Sequence, residues 1–316
     1  MPNFRVSILR ILVLLIVVHA AWANLTVVGD RLSLDALVRT SAYWWRAEQA
    51  GLAQNESAIE RVEALAGLTG RLSSVVSFRL SGDVSFIQPQ DLYVDLRWQN
   101  GVGLRAGQFL LPLGFDAMTE PDSQVLTSTS FLVSYAKPDG TRDIGAMGSW
   151  QINRFSASAA VVNGSGSNVD DNNNRKDLCG RISLRPLARL DAVVALRAYY
   201  GWPNAADSVW RSVALEAHMR HGPVTLQAEL QNHLGPSARN NMAYLQALWD
   251  FGLVECVGRF DLDLPQRERT HWMIDGGVSL RPLTDHFKVM LDCSYNRDYQ
   301  GNWAVFGFSF RLQAGL

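Results

Sequence analysis

The sequence predicts an all-β chain: a transmembrane antiparallel β-barrel of about 16 strands with its third loop folded inward. Three observations predict it. Apolar and polar residues alternate with period two through most of the chain, short and long connections sort by parity, and one connection, 110–141, far exceeds the rest.

The chain opens on "MPNFRVSILRILVLLIVVHAAWA". Arg5 and Arg10 supply a charged end, Ile11 to Val18 an apolar core, and Ala21-Trp22-Ala23 an A-x-A cleavage site. Residues 1–23 are therefore expected to be a signal peptide and 24–316 the barrel domain. No later window offers the ~20 apolar residues of a membrane-spanning helix. Export without a helical anchor leaves the periplasm, the outer membrane or the exterior.

The expected strands run 30–46, 58–71, 74–87, 90–99, 102–110, 142–152, 154–163, 177–186, 190–201, 208–220, 222–233, 240–250, 252–262, 269–281, 286–297 and 302–313. The second overlaps "ESAIERVEALAGL", whose spacing equally fits an amphipathic helix. In "VSFRLSGDVSF", Val76, Phe78, Leu80, Val84 and Phe86 oppose Ser77, Arg79, Ser81, Asp83 and Ser85. In "VALEAHMR", Val213, Leu215, Ala217 and Met219 oppose Ala214, Glu216, His218 and Arg220. Soluble antiparallel sheets alternate too, so the loops decide. After even-numbered strands the turns are tight: "SSV", "QNG", "NR", "PLAR", "HGP", "DFG", "PLTD". After odd-numbered strands several are long, among them "AEQAGLAQN", the stretch after Phe109 and "GSGSNVDDNNNR". Short turns at one rim and long loops at the other mark an outer-membrane barrel with periplasmic termini.

Inside hydrocarbon an open sheet edge strands unsatisfied backbone groups, so the sheet must close. A basic residue on the lipid face at mid-membrane costs about 2–4 kcal/mol. With apolar residues placed outside, Arg39, Arg79, Arg97, Arg105, Arg181, Arg185, Arg197, Arg220, Arg259 and Arg281 turn inward, joined by Lys288 and Arg311. They slightly outnumber Asp35, Asp83, Asp95, Glu216, Glu229, Glu255, Asp261, Asp275 and Asp292. Such a wall favours anions weakly; ion pairing between strands competes for the same side chains.

The long connection mixes an apolar string, "LLPLGF", with a small polar stretch, "SQVLTSTSF". That composition suits a loop folded against the inner wall as a constriction, with Phe115, Asp122, Tyr135, Lys137 and Arg142 as its candidate residues; an exposed surface loop is the alternative.

"LRAGQFLLPLGF", "RDIGAMGSW" and "VVNGSGSNVDDNNNRKDLCGRISLRPL", in that order, resemble segments of the phosphate-selective porin O and P family. The resemblance extends to "RVEALAGLTGRLSSVVSFRLSGDVS". It implies a sixteen-stranded outer-membrane porin, a homotrimer with its third loop turned inward, and it supports the second strand. Phosphate-selective members use basic clusters, lysine included. Here Lys137 and Arg142 face Asp116, Glu120, Asp122, Asp139 and Asp143. The chain also ends "FSFRLQAGL" rather than on an aromatic residue.

Composition excludes other classes. Net charge is −1, so no concentrated basic face for nucleic acid is expected. Only Lys137, Lys176 and Lys288 are lysines among 29 basic residues; arginine's planar fork suits oxyanions, and a codon preference for arginine is the other explanation. Cys179, Cys256 and Cys293 lack metal or disulfide spacing and read as small buried hydrophobes. "GVGLRAG" lacks the helix a nucleotide loop needs, and "DDNNNRKD" lacks the glycine and glutamate of an EF-hand, which leaves only a loose calcium site around 168–177. The six histidines form no HExxH, and no G-x-S-x-G elbow occurs. No cofactor is expected. The expected function is a passive, weakly anion-selective channel for small anions such as phosphate or polyphosphate, seated in outer-membrane lipid of a Gram-negative cell. The rivals are a plugged structural or adhesive barrel and a rim-site hydrolase.

Overall fold

The computed structural model describes residues 31–49, 52–60, 62–137, 140–186, 191–202, 209–235, 239–265, 270–282, 287–298 and 303–315; the expected signal peptide lies outside them. Seventeen extended segments follow in order. They are β1 (Leu32–Gln49), β2 (Leu52–Ile59), β3 (Glu63–Arg71), β4 (Val76–Asp83), β5 (Gln88–Arg97), β6 (Val102–Leu110), β7 (Arg142–Ile152), β8 (Phe155–Val162) and β9 (Asp177–Leu184). Then come β10 (Asp191–Gly201), β11 (Trp210–His221), β12 (Val224–Leu234), β13 (Arg239–Asp250), β14 (Val254–Pro265), β15 (His271–Leu280), β16 (Phe287–Asp298) and β17 (Trp303–Gly315). One short helix, α1 (Phe131–Ala136), lies between β6 and β7.

Neighbours pair antiparallel, and β17 returns to β1, so the barrel closes. β2 and β3 lie end to end: Ala42 to Gln49 of β1 pair with Ile59 to Leu52, and Leu32 to Arg39 pair with Gly70 to Glu63. They make one stave, and the wall has sixteen. The register slips by one residue between the two runs, and at the end of the first the Glu60 N–H donates to the Ser41 carbonyl at 2.7 Å. The helical reading of "ESAIERVEALAGL" does not hold, because both halves are ladder-paired strand.

Period-two patterning becomes two faces. On β9, Leu178, Ile182 and Leu184 are exposed on the outside, while Asp177, Cys179 and Ser183 are buried inside. On β11, Val213 and Leu215 face out; Ser212, Ala214 and Glu216 face in. The exterior is thus apolar and the interior polar, the reverse of a water-soluble protein. The cysteines split accordingly. Cys179 is buried on the inner face, but Cys256 and Cys293 alternate with buried Glu255, Val257 and Asp292 and so lie on the exterior, correcting the expectation that all three are buried.

Where they are described, the turns at the rim where β1 starts and β17 ends are tight. Between β5 and β6 the Trp98 N–H donates to the Val102 carbonyl at 2.9 Å, and Gly101 takes φ +84°. A Cβ there would lie 1.9 Å from the Gln151 carbonyl oxygen, so only glycine fits. The opposite rim holds the long connections 111–141 and 163–176. The first expected long loop, "AEQAGLAQN", is instead strand on both sides of residues 50–51. Beyond the apolar band a hairpin gains its ladder bonds whatever its side chains, so polar residues such as Gln54, Asn55 and Glu56 extend the sheet without any alternation to announce it.

Candidate functional site

From Leu111 to Lys137 the connection between β6 and β7 runs through the interior and is tied to the wall in stages. Leu111 and Leu113, fully buried, pack with Ala160, Val162, Cys179 and Tyr199 on the inner faces of β8, β9 and β10. Here "LLPLGF" finds its apolar partners. At Gly114 the backbone takes φ +116° and runs so close to the wall that a Cβ would sit 2.5 Å from Glu229 Oε2 and 3.0 Å from Arg197 Nε. The following N–H groups of Phe115 and Asp116 donate to Glu229 Oε1 at 2.7 and 3.3 Å.

Further on, the Thr127 N–H donates to Asp292 at 2.6 Å. Arg259 donates to the Ser128 carbonyl at 3.1 Å and to its hydroxyl at 2.9 Å. The first N–H groups of α1 meet carboxylates too: Ser130 N–H donates to Asp116 at 2.6 Å and Phe131 N–H to Asp261 at 3.2 Å. Anions belong at a helix start, where backbone N–H groups have no partner in the helix. Leu132 of α1 then packs on Met242 and Tyr244 of β13.

These anchors absorb several expected pore arginines. Arg197 is 1% exposed and held by Glu216 at 3.5 Å, Glu229 at 3.4 Å and Gln231 at 2.5 Å. Arg259, 3% exposed, sits between Asp261 at 2.8 Å and Asp275 at 2.6 Å. Lys137 forms a fully buried pair with Asp143 at 3.1 Å. Arg197 and Arg259 therefore line no water-filled passage, against their expected place along the lumen, and Lys137, expected as a constriction-loop residue, is closed off from it as well. Burying a charge is costly unless it is paired, and the loop supplies or covers each pair.

Two interior spaces stand out among the described residues. The larger, about 450 Å³, lies between the loop at Glu120 to Ser123 and the wall of β1, β3, β4 and β5. Its ionisable lining is Asp35, Asp91, Glu120 and Asp122 against Arg79, Arg281 and Lys288. Most are paired: Arg79 with Asp35 at 3.0 Å, Arg142 with Asp91 at 3.1 Å and Glu120 at 3.5 Å, Arg281 with Asp250 at 2.6 Å. Asp122 contributes its carbonyl, which accepts from Lys288 at 3.3 Å and Gln313 at 3.0 Å. Burial pushes the Glu120 carboxyl above its ordinary range, and the nearby Arg142 partly opposes this. The second space, about 260 Å³, opens towards the short-turn rim and is lined by Arg154, Arg181 and Arg185 with Phe115, Ser156 and Ser183. Among the described residues no carboxylate lines it; Arg181 reaches Glu216 at 2.8 Å behind it and lies 5.0 Å from the Phe115 ring.

The other candidates fall elsewhere. Arg39 pairs with Glu63 and donates to Gln124 at 3.0 Å. Arg105 bonds Asp95 at 3.2 Å and lies over the Tyr93 ring at 3.9 Å. Arg97 and Arg220 are exposed at the short-turn rim. Tyr135 packs on His233, with ring centroids 5.7 Å apart. Arg154, the first residue of the expected strand 154–163, is not among the expected inward arginines; it lies instead in the β7–β8 turn, one residue before the strand begins. In the 163–176 connection Lys176 contacts Asp171, occupying a carboxylate that a calcium ion would need, and no grouping of three metal-binding side chains occurs among the described residues.

Solved structures share this architecture. The fold is that of the outer-membrane porins. An anion-selective porin from Comamonas acidovorans is 12% identical, with a TM-score of 0.69 over 90% of this chain and 99% of its own. OmpT, an outer membrane protein of Vibrio cholerae in its trimer form, is 8% identical, TM-score 0.63, covering 90% and 100%. The outer membrane channel DcaP of Acinetobacter baumannii is 9% identical, TM-score 0.62, covering 90% and 97%. No protein-family model and no curated protein matches the chain in sequence, so the resemblance to the phosphate-selective porins rests on the motifs quoted above.

Proposed function

We propose that the chain is an outer-membrane porin: a passive diffusion channel of weak anion preference, exported by its N-terminal segment, with the long-loop rim outside the cell and the termini in the periplasm. The carrying observation is the pinned loop with water-sized space left beside it, which narrows the lumen without filling it. That space favours a channel over a plugged structural barrel.

The weak preference comes from the inner mouth. Three guanidinium groups there, Arg154, Arg181 and Arg185, face the passage with no carboxylate among the described lining residues, and such a cluster attracts anions. The space beside the loop is mixed in sign, four carboxylates against three bases, and mostly paired. Small anions, phosphate among them, pass as one class without a tight phosphate site. A homotrimer is the assembly we propose, on the likeness to a barrel solved in trimer form.

Planar-bilayer recordings in a salt gradient test this. The expected result is stepwise conductance with a reversal potential on the anion side, and little block by millimolar phosphate. Clear cation preference would remove the selectivity reading. Absence of any current from folded protein would remove the channel.

A further inference from the structure

Two arginines outside the inward set stand on the apolar exterior at the long-loop rim. Arg211 of β11 and Arg239 of β13 are exposed, in phase with the outward Val213, Leu215 and Leu245. Both are in register with Leu234 of β12, so the row reads Arg211–Leu234–Arg239 across three neighbouring strands. Two strand spacings put the guanidinium stems about 10 Å apart. Among the described residues no carboxylate pairs with either; Arg211 lies 5.3 Å from the ring of Tyr200.

The rows beneath are graded. One step towards the middle of the wall the register reads Val213–Asn232–Asn241, and the Asn232 amide donates to Asn241 at 2.8 Å. The next step reads Leu215–Leu230–Ala243, with Leu215 and Leu230 each at least half exposed. Each step descends about 7 Å. Charge, then amide, then hydrocarbon is the order of groups along a phosphate-bearing lipid, from headgroup through its linkage to its acyl chains.

We infer that the outer wall of β11–β13 is a binding site for the phosphorylated headgroup of an outer-leaflet lipid, with the acyl chains lying on the leucines below. A second copy of the chain is the poorer occupant, because docking there would desolvate two unpaired guanidinium groups. A phosphate supplies the negative charge and the several acceptor oxygens that two neighbouring basic groups suit. The inference rests on the barrel's insertion in the outer membrane and is independent of its ion selectivity.

The test uses full-length mature protein in detergent, titrated with lipid A carrying two phosphates and with the same lipid dephosphorylated, read by native mass spectrometry. Binding of the phosphorylated form only is expected. Arg211→Gln with Arg239→Gln should weaken it roughly thirtyfold, since each basic group near a membrane surface contributes on the order of a factor of five. Arg211→Lys with Arg239→Lys should retain most of it, which separates charge from folding. Millimolar inorganic phosphate should not compete, because the leucine rows hold only a lipid. Equal binding of both lipids, undiminished binding by the glutamine variant, or a change in oligomeric state instead of lipid affinity would each overturn the site. Bilayer conductance of the glutamine variant should match wild type. Loss of channel activity in wild type, with lipid binding intact, would sink the channel reading alone.

Discussion

Gly114→Ala tests whether the loop is held as described. The added methyl meets Glu229 Oε2 at 2.5 Å, and φ +116° is a conformation that alanine avoids. Backbone strain of that kind costs about 1–3 kcal/mol. To relieve it the chain must back away from the wall, releasing the bonds from Phe115 N–H and Asp116 N–H to Glu229. Bonds to a charged acceptor contribute about 1.5–3 kcal/mol each. Together these exceed what one side of a loop can absorb, so the first half should detach while Thr127, Ser128 and α1 hold. Glu229 keeps Tyr244 at 2.9 Å and Arg197, which limits damage to the wall. The expected readout is an altered unit conductance with open-channel noise, and faster amide exchange over 113–120 but not 127–136. Gly148→Ala is the control: its nearest neighbour, Leu104, lies 3.9 Å away, and it should change nothing. If Gly114→Ala leaves conductance and exchange untouched, the loop is not pinned at Glu229 and the constriction reading is wrong.

Three further outcomes are expected. Glu120, held above the ordinary carboxylate range, is negative above its pKa and neutral below it, so the anion-to-cation permeability ratio should rise as pH falls through that value; Glu120→Gln should show the raised ratio at neutral pH with that acid step gone. Arg154→Ala with Arg185→Ala removes two charges from the inner mouth. At about 6 Å in water, with roughly half the interaction screened, this should cut the permeability ratio about tenfold, and an unmoved reversal potential would take both residues off the path. Lys137→Met strips Asp143 of its counter-charge inside the protein, a loss of about 3 kcal/mol or more that should appear as a lower thermal unfolding temperature with conductance above that temperature gone.

Much of the wall was legible in the sequence because one physical demand, apolar out and polar in, acts at every second residue. The expected strand 142–152 coincides with β7, and 240–250 matches β13 but for Arg239. The start of β2 was not legible, since Leu52 to Ser57 lie where the ladder alone matters. Inward arginines were legible by phase; their partners were not, because Asp116 and Arg259, or Thr127 and Asp292, meet only once the cylinder has closed. The glycine in "LLPLGF" could be read as part of a motif, but the carboxylate it approaches lies on β12. Arg211 and Arg239 do carry a signal in the sequence, for they share phase with outward Val213, Leu215 and Leu245.

The loop's far attachments have a mechanical result. A hollow tube one chain thick deforms easily towards an oval, since each hydrogen-bonded seam acts as a hinge. Here a single crosspiece leaves the wall between β6 and β7 and is fastened to β12, β14 and β16, like spokes on a rim. Squeezing the tube along any of those directions would stretch or crush a charged tether. The same segment that narrows the opening therefore keeps it round, and cutting it would soften the whole cylinder as well as widen its bore.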